Sequence, residues 1–449
     1  MNDKILIVAA GLLCALSPIT EAQLFEVTDL GVLPTGRDSW AYGLNDQGQV
    51  VGTSTVGGTS TTHAFLWQNG VLTDLGVLPC GQQSWAVDIN EAGLIAGDSE
   101  VCFSLSPGRR IFTSDGSTLT DLQFGQTRTY ARDIDEQGRI VGTIDTGALI
   151  DFRPVTHAVF WNGQSDVDLG TLGGTFSRAN ALNESTQIVG GSGVSRNGGY
   201  HAFLWENGTM VDLGTLGGRN SEALDIDGRG RIVGWADDAS RTRRAFLLAS
   251  GQMQDLGELG GGSSEAWSIA STGRIVGVAP NAEGRPRAFL FDPRRSGLID
   301  LNDRVSTSSP WTLVQAADIN SRGDIVGWAA DGAGAQRAVL LTKAPVELSD
   351  PSPGQAGQSN RFDLTGATPG ELVHLVFGLQ AGTTPVPGCP GLDLDISGVG
   401  IAQVARADRE GNVRFDVSIP ALASGRTVLF QAVDWSGCSV SPLVSVRFP

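Results

Sequence analysis

LNDQGQVVG, residues 44–52, and HAFLWQNGVLTDLG, residues 63–76, are the strings on which the fold of this chain turns. In the first, Asn45-Asp46-Gln47-Gly48 separates two apolar stretches. Asn, Asp and Gly tolerate the backbone angles of a tight hairpin, so the string reads as strand, turn, strand. In the second, alternating residues flank Asn69-Gly70, a strong two-residue hairpin signal. With residues 40–44 in front, the two strings predict four short antiparallel strands.

Both strings recur. The first returns as INEAGLIAG (89–97), IDEQGRIVG (134–142), LNESTQIVG (182–190), IDGRGRIVG (226–234), IASTGRIVG (269–277) and INSRGDIVG (319–327). The final glycines lie 43 to 50 residues apart. The second returns as RIF (110–112), HAVFW (157–161), HAFLW (201–205), RAFLL (244–248), RAFLF (287–291) and RAVLL (337–341). Asp-Leu-Gly follows at Asp74, Asp168, Asp212 and Asp255. Four antiparallel strands at this period are the mark of a propeller blade, and no sustained helical period supports a solenoid of helices. The expectation is an all-β chain with a seven-bladed β-propeller over residues 23–344. The seventh RAVLL string has no Asp-Leu-Gly strand after it, whereas FEVTDLG (25–31) stands alone at the start. Residues 25–30 are therefore expected to pair with residues 337–341, closing the ring and covering two sheet edges.

The ordered anchors HAFLWQNG, LTDLG and INxxGxIVG resemble the extracellular repeat of the HAF family, named for the tripeptide at His63-Ala64-Phe65 and His201-Ala202-Phe203. The resemblance covers residues 24–344 and implies secretion and repetition, with no established catalytic activity. It departs from the pattern at RIFTSDG and Asp121-Leu122-Gln123 in the second repeat, and at Asp300-Leu301-Asn302 near the seventh. The Trp-Asp ending of WD40 repeats is missing, as are the ordered Tyr and Trp of kelch repeats.

The formal charge of −17 opposes binding to nucleic acid or anionic lipid. Residues 1–22 read as a signal peptide: Lys4, an apolar run over 5–16 too short to span a bilayer, and a cleavage position after Ala22. Leu13 before Cys14 argues against a lipid anchor, and no later segment is apolar for long enough to insert in a membrane. The localisation implied is secreted, extracellular or periplasmic. Four cysteines remain beyond the leader, and local pairing as Cys80–Cys102 and Cys389–Cys438 is expected. A linker composition spans 345–358. Residues 359–449 again read as short strands, expected to form a small C-terminal β-sandwich.

Candidate chemistry is sparse. His63, His157 and His201 share a slot with Arg110, Arg244, Arg287 and Arg337. Arginine has no lone pair for a metal, so this slot is read as a hydrogen-bonding head. Asp88, Asp133, Asp225 and Asp318 share another slot, broken by Gly43, Ala181 and Ser268. It reads as repeat-wise hydrogen bonding, with cation binding the sharper alternative. Asp393 and Asp395 share one side of a strand and read as a solvated face. The residue before the recurrent alanine varies: Trp40, Trp85, Tyr130, Arg178, Glu222, Glu265 and Gln315. Trp40, Trp85, Tyr130, Glu222 and Glu265 are the candidate ligand-binding residues, because aromatic rings stack on sugars and carboxylates accept from hydroxyls. No GxxxxGK[ST], HExxH, GxSxG or CxxC string is present. No catalytic residue, metal or cofactor is assigned. The expected function is a monomeric, non-enzymatic binding protein for an extracellular ligand or surface glycan. The alternative is a secreted glycosidase or polysaccharide lyase built on a propeller.

Overall fold

The computed structural model describes residues 25–449 except 59, 104–105, 124–127, 151–152, 196–197, 306–308, 369, 390–391, 409–410 and 436–437. The expected signal peptide lies outside the described residues. The chain is all-β, with 60% strand and 2% helix. Residues 27–303 and 307–342 form one compact unit, and most of a second consists of residues 343–449.

The larger unit is built of seven four-stranded antiparallel sheets among the described residues. Sheet 1 comprises Ser39–Leu44, Val50–Thr55, Thr62–Gln68 and Val71–Gly76. Sheets 2 to 6 repeat this order and begin with Ser84–Ile89, Thr129–Ile134, Ser177–Leu182, Gly217–Ile226 and Glu265–Ile269. Sheet 7 is assembled from both ends of the unit. Thr312–Ile319, Ile325–Ala330 and Gln336–Lys343 supply three strands, and Phe25–Asp29 lies beside Gln336–Lys343 as the fourth. The Leu30 N–H donates to the Ala338 carbonyl at 3.0 Å, so the expected seam is present. Each first strand packs against the first strands of the sheets on either side, and that of sheet 7 packs against that of sheet 1.

Each conserved string of the repeat has a mechanical reason. The final glycine of the IVG string lies against the first strand: a Cβ on Gly234 would sit 2.0 Å from the Glu222 carbonyl oxygen. The third-strand phenylalanine fills the adjoining space, and Phe65, Phe203, Phe246 and Phe289 are fully buried. A hydroxyl at the start of the first strand ties neighbouring sheets together. Ser221 Oγ accepts from Ala202 N–H at 2.9 Å and donates to the Gly214 carbonyl at 2.5 Å. Ser39 does the same across the seam, accepting from Ala338 N–H at 2.9 Å and donating to Gly31 O at 2.6 Å. The first turns are also linked. Asn45 Nδ2 donates to Asn90 O, Asn90 to Asp135 O, Asn183 to Asp227 O, and Asn320 to Asn45 O. Apolar residues of consecutive sheets form separate cores. Val141 and Phe160 pack with Leu182 and Phe203, while Val326 and Leu340 pack with Leu44 and Val50.

Every first strand carries a β-bulge at one place. Register shifts fall between Ala41 and Gly43, Ala86 and Asp88, Ala131 and Asp133, and Ala179 and Ala181. They recur between Ala223 and Asp225, Ala266 and Ser268, and Ala316 and Asp318. The extra residues are Tyr42, Val87, Arg132, Asn180, Leu224, Trp267 and Ala317. A bulge leaves its extra residue out of the ladder and re-aims the side chains around it.

In the smaller unit, Glu347–Leu348, Ser359–Thr365 and Val413–Ser418 form one sheet. Leu372–Gly378, Gly400–Arg406, Thr427–Asp434, Ser439–Val440 and Val444–Arg447 form another. The two share a core in which the Phe362 and Phe430 rings lie 4.7 Å apart. Glu347–Leu348 lies within the stretch read from sequence as a linker; it pairs with Thr365 and Leu364. Asp393–Ser397 alternates as the strand read for Asp393 and Asp395 does, and it pairs with Gln380–Pro385, whose Gly and Pro hide it in the sequence. Both cysteine pairs, Cys80–Cys102 and Cys389–Cys438, are at disulfide distance.

Candidate ligand-binding face

The five candidate residues occupy equivalent positions on their first strands, each directly before the recurrent alanine. Trp40 lies opposite Thr53, Trp85 opposite Asp98, Tyr130 opposite Thr143, Glu222 opposite Trp235, and Glu265 opposite Val278. None is fully exposed, and each already has a protein partner. Trp40 Nε1 donates to Gln336 Oε1 across the seam. Trp85 and Tyr130 share the Arg109 guanidinium, which stands 3.4 Å from the Trp85 ring centre and 5.0 Å from that of Tyr130. Arg109 Nε donates to the buried Asp98 carboxylate at 2.5 Å. Burial pushes the Asp98 carboxyl up to about 6, with Arg109 pulling against it.

The acids are engaged in the same way. Glu222 accepts from Asn180 Nδ2 at 2.9 Å and pairs with Arg178 at 3.0 Å. Arg178 Nε donates in turn to the Tyr200 hydroxyl at 2.7 Å. Glu265 pairs with Arg243 at 2.5 Å, and that guanidinium lies 3.7 Å from the centre of the Trp235 ring. The structure thus joins Trp85 to Tyr130 through Arg109, and it places Trp40, Glu222 and Glu265 in separate groups. Arg109, Asp98, Arg243 and Trp235 complete these groups. Their own slots vary from sheet to sheet, which is the only mark they leave in the sequence.

The histidine and arginine slot pairs with the aspartate of Asp-Leu-Gly. His63 Nδ1 lies 3.0 Å from Asp74, His157 2.8 Å from Asp168, His201 2.8 Å from Asp212, and Arg110 2.9 Å from Asp121. The same carboxylate caps its turn: Gly214 N–H donates to Asp212 Oδ1 at 2.8 Å. An N–H donor and a carboxylate are thus all the slot requires, which is why His and Arg exchange there.

The four acids of the inner slot bridge sheets. The N–H groups of Leu44, Ile134, Leu182 and Ile269 donate to Asp318, Asp88, Asp133 and Asp225 of the preceding sheets at 2.7–3.2 Å. Ser268 hydroxyl donates to Asp318 Oδ1 at 2.7 Å. Gly43 is bare because a Cβ there would lie 2.8 Å from Asp88 Oδ1. Burial raises the carboxyls of Asp318 to about 7 and Asp225 to about 6. Asp133 is raised by burial and then by the Asp88 carboxylate. Among the described residues, no three His, Cys, Asp or Glu side chains are arranged to hold a metal ion.

The bulge residues surround this slot. Trp267 is 37% exposed, and Arg132 is exposed although Ala131 and Ile134 beside it are buried. Tyr42 is half-buried with its ring 6.4 Å from Trp328, edge to face. Burial pushes the Tyr42 hydroxyl up to about 12, while Arg109 and Arg132 pull it down.

No family model and no curated protein matches the chain. Among solved structures, it is similar to the Pyrococcus horikoshii acylaminoacyl peptidase at 13% identity and a TM-score of 0.43. That match covers 72% of this chain and 58% of the peptidase, so the chain spans less than two thirds of its length. A fungal alcohol oxidase of the AA5 family, in complex with copper, matches at 12% identity and a TM-score of 0.41. It covers 95% of this chain and 99% of the oxidase. Kuenenia stuttgartiensis hydrazine synthase matches at 10% identity and a TM-score of 0.33, over 92% and 61% of the two chains.

Proposed function

We propose that this chain is a secreted, non-enzymatic binding protein of the HAF-repeat type, and that its seven sheets are the blades of a closed β-propeller presenting a glycan-binding face. The observation that carries the architecture is the cyclic order of contacts. First strands pack in succession and return from sheet 7 to sheet 1, with Phe25–Asp29 completing the seventh sheet. The smaller unit is read as a β-sandwich appended to the propeller. Two cysteine pairs at disulfide distance favour an oxidising compartment. Among the described residues, no helix is long and apolar enough to cross a membrane.

The binding reading is supported over the enzymatic one by the state of the acids. A glycosidase needs two carboxyl groups flanking the scissile bond, one of them free to give up a proton. Glu222 and Glu265, the acids beside the aromatic residues, are each bound to an arginine, and the protonatable inner aspartates each accept a backbone N–H of a neighbouring sheet. What remains is a rigid face of tryptophan, tyrosine and arginine, groups that hold a ligand without transforming it. The test is a glycan array probed with the full chain, repeated with Trp85→Ala. Binding to a defined glycan class, weakened by the substitution, is the expected result. Silence across the array, or hydrolysis of a bound glycan, would overturn the reading.

A further inference from the structure

We propose that the ring of bulge residues binds a negatively charged saccharide, with Arg132 taking the anionic group and Trp267 offering its ring to a sugar face. This rests on the glycan-binding reading and names the class of glycan.

The seven-fold repeat supplies the first argument. The residue before each bulged residue is alanine in all seven sheets. The residue after it is Asp, Gly, Ala or Ser, engaged in or making room for the links between sheets. Of these three positions the bulged residue varies most widely in size, polarity and charge; the residue before the alanine varies too, but it already has protein partners. A position released from the ladder by the same bulge in every sheet, yet filled differently each time, answers to something outside the repeat.

Arg132 supplies the second. It is exposed, yet burial lowers its affinity for its proton. A side chain open to solvent but walled by protein meets both conditions. It senses Arg178, Asp98, Glu222 and Arg109, which lie on three other sheets, so it projects toward the space those sheets share. Asp98 is already paired with Arg109, and Glu222 with Arg178. Among the described residues, no group hydrogen-bonds or ion-pairs with Arg132 itself. Of the seven bulge residues Arg132 alone carries a charge, beside the carboxyl groups of the inner slot, and its guanidinium is left without a pair among the described residues. A guanidinium presents a planar fork that fits carboxylate or sulfate oxygens.

Trp267 is the third. It is the most exposed tryptophan on an inner strand, and it touches no other ring and makes no hydrogen bond among the described residues. A partly exposed indole is suited to stacking on the apolar face of a pyranose. With Leu224 and Val87, the bulge residues themselves are largely apolar with one charge among them.

The test is calorimetric titration of the full chain with hexagalacturonate and with the neutral galactose hexamer of the same linkage. The charged hexamer should bind at least about tenfold more tightly. Arg132→Gln should abolish that preference without changing the unfolding temperature, and Arg132→Lys should restore part of it. Trp267→Ala should weaken both hexamers. A sulfated galactan showing the same dependence on Arg132 supports the site and names sulfate as its anion. Should Arg132→Gln fail to fold, the preference of the unaltered protein decides. Equal binding of both hexamers, or a preference that survives Arg132→Gln, overturns the inference and leaves the glycan reading standing. No binding to any saccharide overturns both.

Discussion

Ser221 shows what a single hydroxyl contributes here. It is fully buried and satisfies one donor and one acceptor of the preceding sheet. Ser221→Ala leaves the Ala202 N–H without a partner, and the expected cost is about 1–3 kcal/mol by chemical denaturation. The partly exposed His201–Asp212 pair should matter less, with His201→Ala costing up to about 1 kcal/mol. The inner aspartates reverse the usual acid behaviour. Asp318 is raised from 3.8 to about 7 by burial and by Asp88 and Asp225, so the folded chain holds a proton that the unfolded chain has lost. Its contribution is full below about pH 4 and declines as pH rises toward 7. Asp318→Asn removes that titration, so the fall in unfolding temperature between pH 5 and pH 8 should shrink by about 2–4 °C. The bridging role of these acids was readable in the sequence as a shared slot. Their mutual approach was not, because it depends on seven strands converging from points up to 275 residues apart.

At the scale of the element, the glycine of the IVG string is the least replaceable residue. Gly234→Ala would force a methyl to 2.0 Å from the Glu222 carbonyl oxygen and 3.0 Å from Ala223 Cα. Backbone on both sides cannot yield as a side chain would, so the expected loss exceeds about 3 kcal/mol. Gly208 in the hairpin turn has φ +81 and open space around it, and Gly208→Ala should cost only about 1–2 kcal/mol. Thermal unfolding of the two variants side by side checks the contrast. Strands, turns and the seam were legible because hairpin chemistry and alternation are local. The bulges were not. An extra residue in one strand shows only against its partner, so the re-aimed positions of Tyr42 and Arg132 leave no mark in the sequence of the strand itself. Likewise, the aromatic arc was visible as composition, while Arg109 between Trp85 and Tyr130 came from a longer second strand pair that the repeat pattern did not foretell.

For the whole molecule, the seam governs stability. Removing residues 1–31 strips the fourth strand from sheet 7 and exposes the edge of Gln336–Lys343. The shortened chain should aggregate or unfold at markedly lower temperature, as light scattering during a thermal ramp would show. Adding residues 25–31 back as a free peptide should recover part of the loss. The seam also orders events in time. Phe25–Asp29 finds its place only beside a strand made some 308 residues later, since the Leu30 N–H donates to the Ala338 carbonyl. Six sheets are complete in sequence before the seventh can be. Phe25–Asp29 is thus made early and docked late, and the larger unit cannot finish folding until nearly all of its chain is present.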